Sequence, residues 1–346
     1  MPAAYPSATN VFVRDHAATQ GLVVDFARNP TEFPLNQYVQ IIPVQKVAGY
    51  YLEMTVEEAG RIVNNDLRNF VWPDGNPAPE GYTGTESFNW KEYRCQRYAY
   101  PVTLGDLTVD QATWPILETH RRIKAQQAMT ARVQAVMNVA LSTSSYPSNH
   151  VIDVTTLPGN TGNWAAATTA NGNIKRSINT AVARIKQDTF SAVRRQDMVL
   201  VVSLELAQAM AESQEIVDYL KSSPYSLPYL QQQAPQFVEM GLPPVLYGVR
   251  VVIEDTYKVT SRKGVTSTVR SPVLPKANAL LVSRPGGLEG VANTPNFSTL
   301  AIFAQEEMTV ENLEDRTNRR ILTRVVDTIG AAVLAPASGV LFTACA

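Results

Sequence analysis

Cysteine and histidine are scarce in this chain. Cys95 and Cys345 are its only cysteines, which excludes a disulfide framework or a cysteine zinc site and makes a reducing compartment the plainer expectation. His16, His120 and His150 are its only histidines, and none has a metal-ligating partner at short spacing. Also missing are a G-x-S-x-G elbow, an H-E-x-x-H helix, a paired C-x-x-C and a Walker loop, since the glycines of GNTGNW are not followed by Lys-Ser/Thr. We therefore assign no catalytic residue, no cofactor-binding residue and no metal ligand. Positive charge is not in excess either. With a formal net charge of -1, little would be gained from counterion release, so nucleic-acid binding is not the main task. No run of about 18 apolar residues occurs, and the opening MPAAYPSATN has neither a basic n-region nor an apolar h-region. Neither secretion nor a membrane span is expected.

What is present is enough apolar material for a sizeable core. The 346 residues are 45% hydrophobic, which suits two subdomains at about 150 residues each. The organising stretch runs from Leu107 to Leu141. Thr108 with Gln111 reads as a capping box, and Pro115 sits where a longer helix can begin. Met129, Val133, Val136, Met137, Ala140 and Leu141 recur at helical spacing, opposite Gln127, Thr130, Gln134 and Asn138. The pattern predicts a spine helix roughly 40 Å long. Alanines 125, 128, 131 and 135 between its faces allow close approach. His120, beside Arg121 and Arg122, reads as a polar contact.

The 22 prolines gather in the first hundred residues and after 220, as expected of extended arms and loops. Residues 1–45 read as an arm with no core of its own, anchored by Phe26, Phe33, Tyr38, Ile41 and Ile42; a partly disordered tail is the alternative. From Tyr50 to Val102, YYLEMT leads out and EYRCQRYAYPV returns. The return places Tyr93, Cys95, Arg97 and Ala99 on one face and Glu92, Arg94, Gln96 and Tyr98 on the other. Between them lies a piece too rich in turn residues for sheet. This predicts a long two-stranded flap carrying Phe70, Trp72, Tyr82, Phe88 and Trp90. An isolated hairpin is marginal in water, so these aromatics need a surface: the rim of an active site, or a neighbouring subunit.

Further on, Asn173 is expected to cap a helix whose apolar face is Ile174, Ile178, Ala181, Val182, Ile185 and Val193, with Arg194 and Arg195 favouring its dipole. Met198 to Val202 is an unbroken apolar run and predicts a buried central strand. Ser203 caps the next helix, and PPVLYGVRVVIEDT turns into a strand through Val249, Val251 and Ile253. NALLVSR and STLAIFA read as short strands. The tract from Glu306 to Arg320 passes from acidic to basic, placing Glu311 and Glu314 before Arg319 and Arg320. It is either a solvated face or a set of charges that pair between subunits. The chain closes with RRILTRVVDTIGAAV, a turn at Pro336 to Gly339, and VLF.

Taken in this order, arm, two-stranded loop, spine ending in Leu141, helix–strand–helix unit around DMVLVVS and closing ILTRVVDTIGAAVLAPASGVLF, the chain resembles the major capsid protein of tailed double-stranded DNA bacteriophages. That α+β fold is shared with encapsulins and herpesvirus capsid floors. The resemblance implies an N-terminal arm (1–45), an extended loop (46–102), a peripheral domain with the spine helix (103–172), an axial domain (173–297) and peripheral return strands (298–346). It implies self-assembly through hexamers and pentamers into an icosahedral shell around phage DNA, in the host cytoplasm, with portal and decoration proteins as further partners. A separate scaffold protein is expected, because Met1 precedes the arm directly. Phe70, Trp72, Tyr82, Phe88, Trp90, Glu311, Glu314, Arg319 and Arg320 are the expected inter-subunit contacts. Two other readings remain open here: an encapsulin-type compartment shell with a cargo groove, and an enzyme whose flap covers a pocket near Trp164 or residues 284–287.

Overall fold

The computed structural model describes residues 28–54, 72, 74–75, 88–112, 114–160, 162–168, 170–222, 242–284 and 298–346, with Met54 and Phe88 as backbone. Asn29 caps a 3-10 turn at Pro30–Glu32, and one helical turn, α1 (Leu35–Tyr38), follows. The chain then extends as β1 (Gln40–Pro43), runs out and back through β2 (Ala48–Met54) and β3 (Phe88–Arg94), and continues as β4 (Gln96–Gly105).

The predicted spine is two helices, α2 (Asp106–Gln111) and α3 (Ile116–Ala140). Pro115 causes the break, because a residue before proline is pushed out of the helical region. It then serves α3 as N-cap, its carbonyl accepting from Thr119 N at 3.1 Å. The expected capping box is absent. Thr108 and Gln111 both lie inside α2, whose N-cap position is Gly105, and Leu107 N donates instead to Asp106 Oδ1 at 2.7 Å. At 25 residues, α3 is about 37 Å long. It buries Met129, Val133, Val136, Met137 and Ala140 as its spacing predicts, together with Ala128 and Arg132, while Leu141 is a half-buried C-cap.

After β5 (Val151–Asp153) come α4 (Asn173–Asp188), β6 (Met198–Ser203), α5 (Leu204–Glu212), α6 (Gln214–Ser222), β7 (Val245–Leu246) and β8 (Val249–Glu254). A small hairpin, β9 (Tyr257–Val259) and β10 (Arg270–Pro272), leads to β11 (Ala279–Ser283), β12 (Leu300–Asp315), β13 (Arg320–Val333) and β14 (Val340–Thr343). STLAIFA therefore opens a much longer strand, β12, which carries the acidic residues out to the turn. VLF, as β14, pairs with β11 and β5.

Two larger sheets result, ordered β1-β12-β13-β4 and β5-β14-β11-β6-β8-β7. Every residue of β6 is buried, and its successive side chains point to opposite faces. Met198, Leu200 and Val202 join a core with Ile174, Ile178 and Ile185 of α4 and Leu206 and Met210 of α5. Val199 and Val201 join a second core with Met129, Val133 and Met137 of α3 and Ile302 and Ile329 of the four-stranded sheet. One sheet thus separates two cores.

Ser203 caps α5 as expected, its Oγ accepting from Leu206 N at 3.3 Å. Asn173 does not cap α4. Gly172, left-handed at φ 57°, holds the N-cap position, while Asn173 is buried and donates to the carbonyls of Gly162 and Asn163. The cap comes from α6: the Glu215 carboxylate accepts from Ile174 N at 3.0 Å and Lys175 N at 2.9 Å, an anion at the positive end of a helix. Arg194 and Arg195 lie beyond the end of α4 and do not serve its dipole. Arg194 pairs with Asp197 at 3.0 Å, and Arg195 donates to Asn179 at 2.8 Å.

Candidate inter-subunit surfaces

β2 and β3 pair antiparallel from Ala48↔Arg94 to Met54↔Phe88, so the two-stranded flap is present. The return is not one strand, however. Cys95 separates β3, which pairs β2, from β4, which pairs β13 from Gln96↔Ile329 to Gly105↔Arg320. The change of partner reverses the alternation. Tyr93 and Cys95 face inward together, but Arg97 and Ala99, expected on the same face, are exposed, and Tyr100, Val102 and Leu104 take the covered side.

The inner face of the flap base lies on Phe303 of β12. Tyr93 stacks on that ring at 4.4 Å and 18°, and Tyr51 tilts against it at 5.7 Å. Cys95 N donates to Val47 O at 2.7 Å, closing the base. Two glycines permit this fit. A Cβ on Gly49 would stand 2.7 Å from the Tyr93 hydroxyl, and one on Gly330 would stand 2.4 Å from the Arg94 carbonyl oxygen. Further out, Glu53 and Lys91 pair at 2.7 Å.

The outer face carries Tyr50, Leu52 and Trp90, with Leu52 directly opposite Trp90. Trp90 is 66% exposed and Trp72 65%. Phe70 and Tyr82 lie outside the described residues, as does the side chain of Phe88, whose backbone pairs with Met54. Such an apolar outer face is the kind of patch that a partner covers.

The charged tract is the distal half of the β12–β13 ribbon. Segregation in sequence becomes opposition in space: Glu311 pairs with Arg324 at 2.5 Å and Asp315 with Arg320 at 2.8 Å. Glu314 reaches Arg316 at 3.9 Å with both well exposed, and Arg319 occupies the turn at φ 48°. Hydrogen bonds from Asn318, then Arg320, hold the Asp315 carboxyl down to about 2. Glu311 and Arg320 thus have partners within the chain.

Sequence spacing missed one buried pair. Arg132 Nε and Nη2 each donate at 2.7 Å to the two carboxylate oxygens of Asp327. This fork joins α3 to β13 opposite the register shifts in β12, where Met308 N also reaches Asp327 Oδ1 at 3.4 Å. The signal was available: Arg132 is the only charged residue between Lys124 and Asp153, and Asp327 is the last charged side chain in the sequence.

No reactive constellation forms among the described residues. No group of three or more His, Cys, Asp or Glu could hold a metal there, and no helix is long and apolar enough to cross a membrane. His150 is buried between the Gly339 carbonyl at 2.6 Å and Asp188 at 2.8 Å. Burial raises the pKa of both thiols, holding Cys95 and Cys345 protonated. Trp164 is fully buried, tilted on Phe342 at 5.1 Å, with its indole donating to Ser177. Arg284 reaches the Asn36 carbonyl, and residues 285–287 lie outside the described set. A shallow cleft of about 410 Å³ runs between Lys91 of the flap and Val139, Tyr146 and Val333.

No family model matches the chain, and no curated protein matches it by sequence. Solved structures do match. A phage-related protein from Bordetella bronchiseptica RB50 is 14% identical at a TM-score of 0.60, covering 92% of this chain and 93% of that one. The capsid of cyanophage P-SCSP1u is 9% identical at 0.56, covering 93% and 90%. The capsid of a native GTA particle is 11% identical at 0.55, covering 100% of both chains. At such identities the likeness is one of fold, and the chain has the α+β fold of phage major capsid proteins.

Proposed function

We propose that the chain is a structural subunit that self-assembles, through hexamers and pentamers, into an icosahedral capsid enclosing phage double-stranded DNA. One observation carries this reading: the likeness to capsid structures runs over at least nine-tenths of both chains rather than over one shared domain. The exposed outer face of the flap supports it, because a wall built from copies supplies the missing cover. On this reading 1–45 is the arm, 46–102 the extended loop, 103–172 and 298–346 the peripheral domain, and 173–297 the axial domain. The subunit is not an enzyme. Scaffold and portal proteins, and a decoration protein on the outer surface, are its further partners, and assembly takes place in the host cytoplasm before the shell becomes part of the virion.

Negative-stain microscopy tests this, with the chain expressed alone and again with its genomic neighbours. Closed shells, or tubes of six- and five-fold rings, are the expected outcome. Uniform small oligomers under both conditions would overturn the proposal.

A further inference from the structure

The flap is held where it begins. Tyr51 and Tyr93 rest on Phe303, Cys95 N binds Val47 O, and the Cys95 thiol reaches the Phe303 carbonyl at 3.5 Å. At the same place β4 stops pairing with β13: the last pair is Gln96↔Ile329, and the next residue of β13 is Gly330. The returning strand passes over Gly330 so closely that a Cβ would meet the Arg94 carbonyl oxygen. Backbone contact on one side and a ring stack on the other leave the hairpin little freedom in leaving the sheet. Both glycines are consumed by packing, so neither serves as a hinge.

We infer that Phe303 and Gly330 are positioning residues that fix the angle at which β2–β3 leaves the four-stranded sheet, and through it the curvature of the shell; the second half rests on the function proposed above. The stack is a rigid, preorganised contact. A methyl group at position 330 pushes against backbone that cannot yield, and replacing the Phe303 ring by an aliphatic side chain removes the stack while keeping the site apolar.

The test uses the full-length chain. Cys95 and Cys345 are buried, so spin labels go to Asn89→Cys on the flap and Asn138→Cys on the exposed side of α3. Labelled chain is diluted with unlabelled chain so that distances within one subunit are read. The parent should give one narrow distance, and Phe303→Leu and Gly330→Ala should each shift or broaden it. The same two substitutions, in chain without label sites, should give shells of altered diameter or open sheets by electron microscopy. Unchanged distances and unchanged shell diameter would overturn the inference. Should Gly330→Ala fail to fold, Phe303→Leu, which inserts nothing, decides alone. A wild-type chain that forms no shells, either alone or with its genomic neighbours, overturns the shell reading and the curvature consequence, and the label distances then judge the positioning separately.

Discussion

Arg132 and Asp327 are charged side chains taken almost wholly out of water, at 3% and 0% side-chain exposure. Such a pair offsets its desolvation only while both members are present. Asp327→Ala should therefore destabilise the subunit by about 3–5 kcal/mol in denaturant unfolding, and Arg132→Met with Asp327→Leu should recover most of that loss. At the other extreme, Asp315 lies at the surface, its side chain 29% exposed, yet is held down to about 2 from its ordinary 3.8. A depressed carboxyl contributes stability above its unfolded pKa, and the contribution disappears as pH falls through the folded one. Compared with Asp315→Asn, wild type should melt higher above about pH 4, and the gap should close between pH 4 and pH 2. Melting curves of both proteins across that range would check the sign.

Among the elements, α3 has one face in the second core, and Val133 is fully buried there. Val133→Asp should leave no folded subunit, because it places an unpaired charge in an apolar core; a sigmoidal melt would show the face assigned wrongly. That face, the buried run of β6 and the Ser203 cap were legible because local spacing suffices for each. The cap of α4 was not, since Glu215 is remote in sequence from Asn173 and pattern reading credits the nearest polar residue. Nor was the break at Cys95: alternation identifies a strand but not its partner, and β3 and β4 belong to different sheets. The pairing within the charged tract was hidden for the same reason. A switch from acidic to basic reads as a solvated face or as charges pairing between subunits, and spacing alone does not show that folding the ribbon at Arg316–Arg319 sets Glu311 and Asp315 against Arg324 and Arg320. Of the candidate contacts, the exposure of Trp72 and Trp90 was legible. The ring under the flap's inner face, Phe303, was hidden in a run that reads only as core.

For the whole molecule, the outer face of the flap separates folding from assembly. Trp90→Ala should leave the subunit's melting temperature within the error of wild type while reducing particle yield severalfold by sedimentation; equal losses in both would place the ring in the subunit's own core. Trp72→Ala is expected to act in the same direction. A different consequence follows from β14. It lies between β11 and β5, and Thr343 bonds to Ile152 across 191 residues of chain. Until that strand is made, the edge of β11 stands open to any strand that reaches it, and such distant pairing is slow to form. Synthesis itself is then the clock. A ribosome still working on the β12–β13 ribbon holds a chain that can neither close its sheet nor pass for a finished subunit, so crowded polysomes are where this protein is most exposed to mispairing with its own copies.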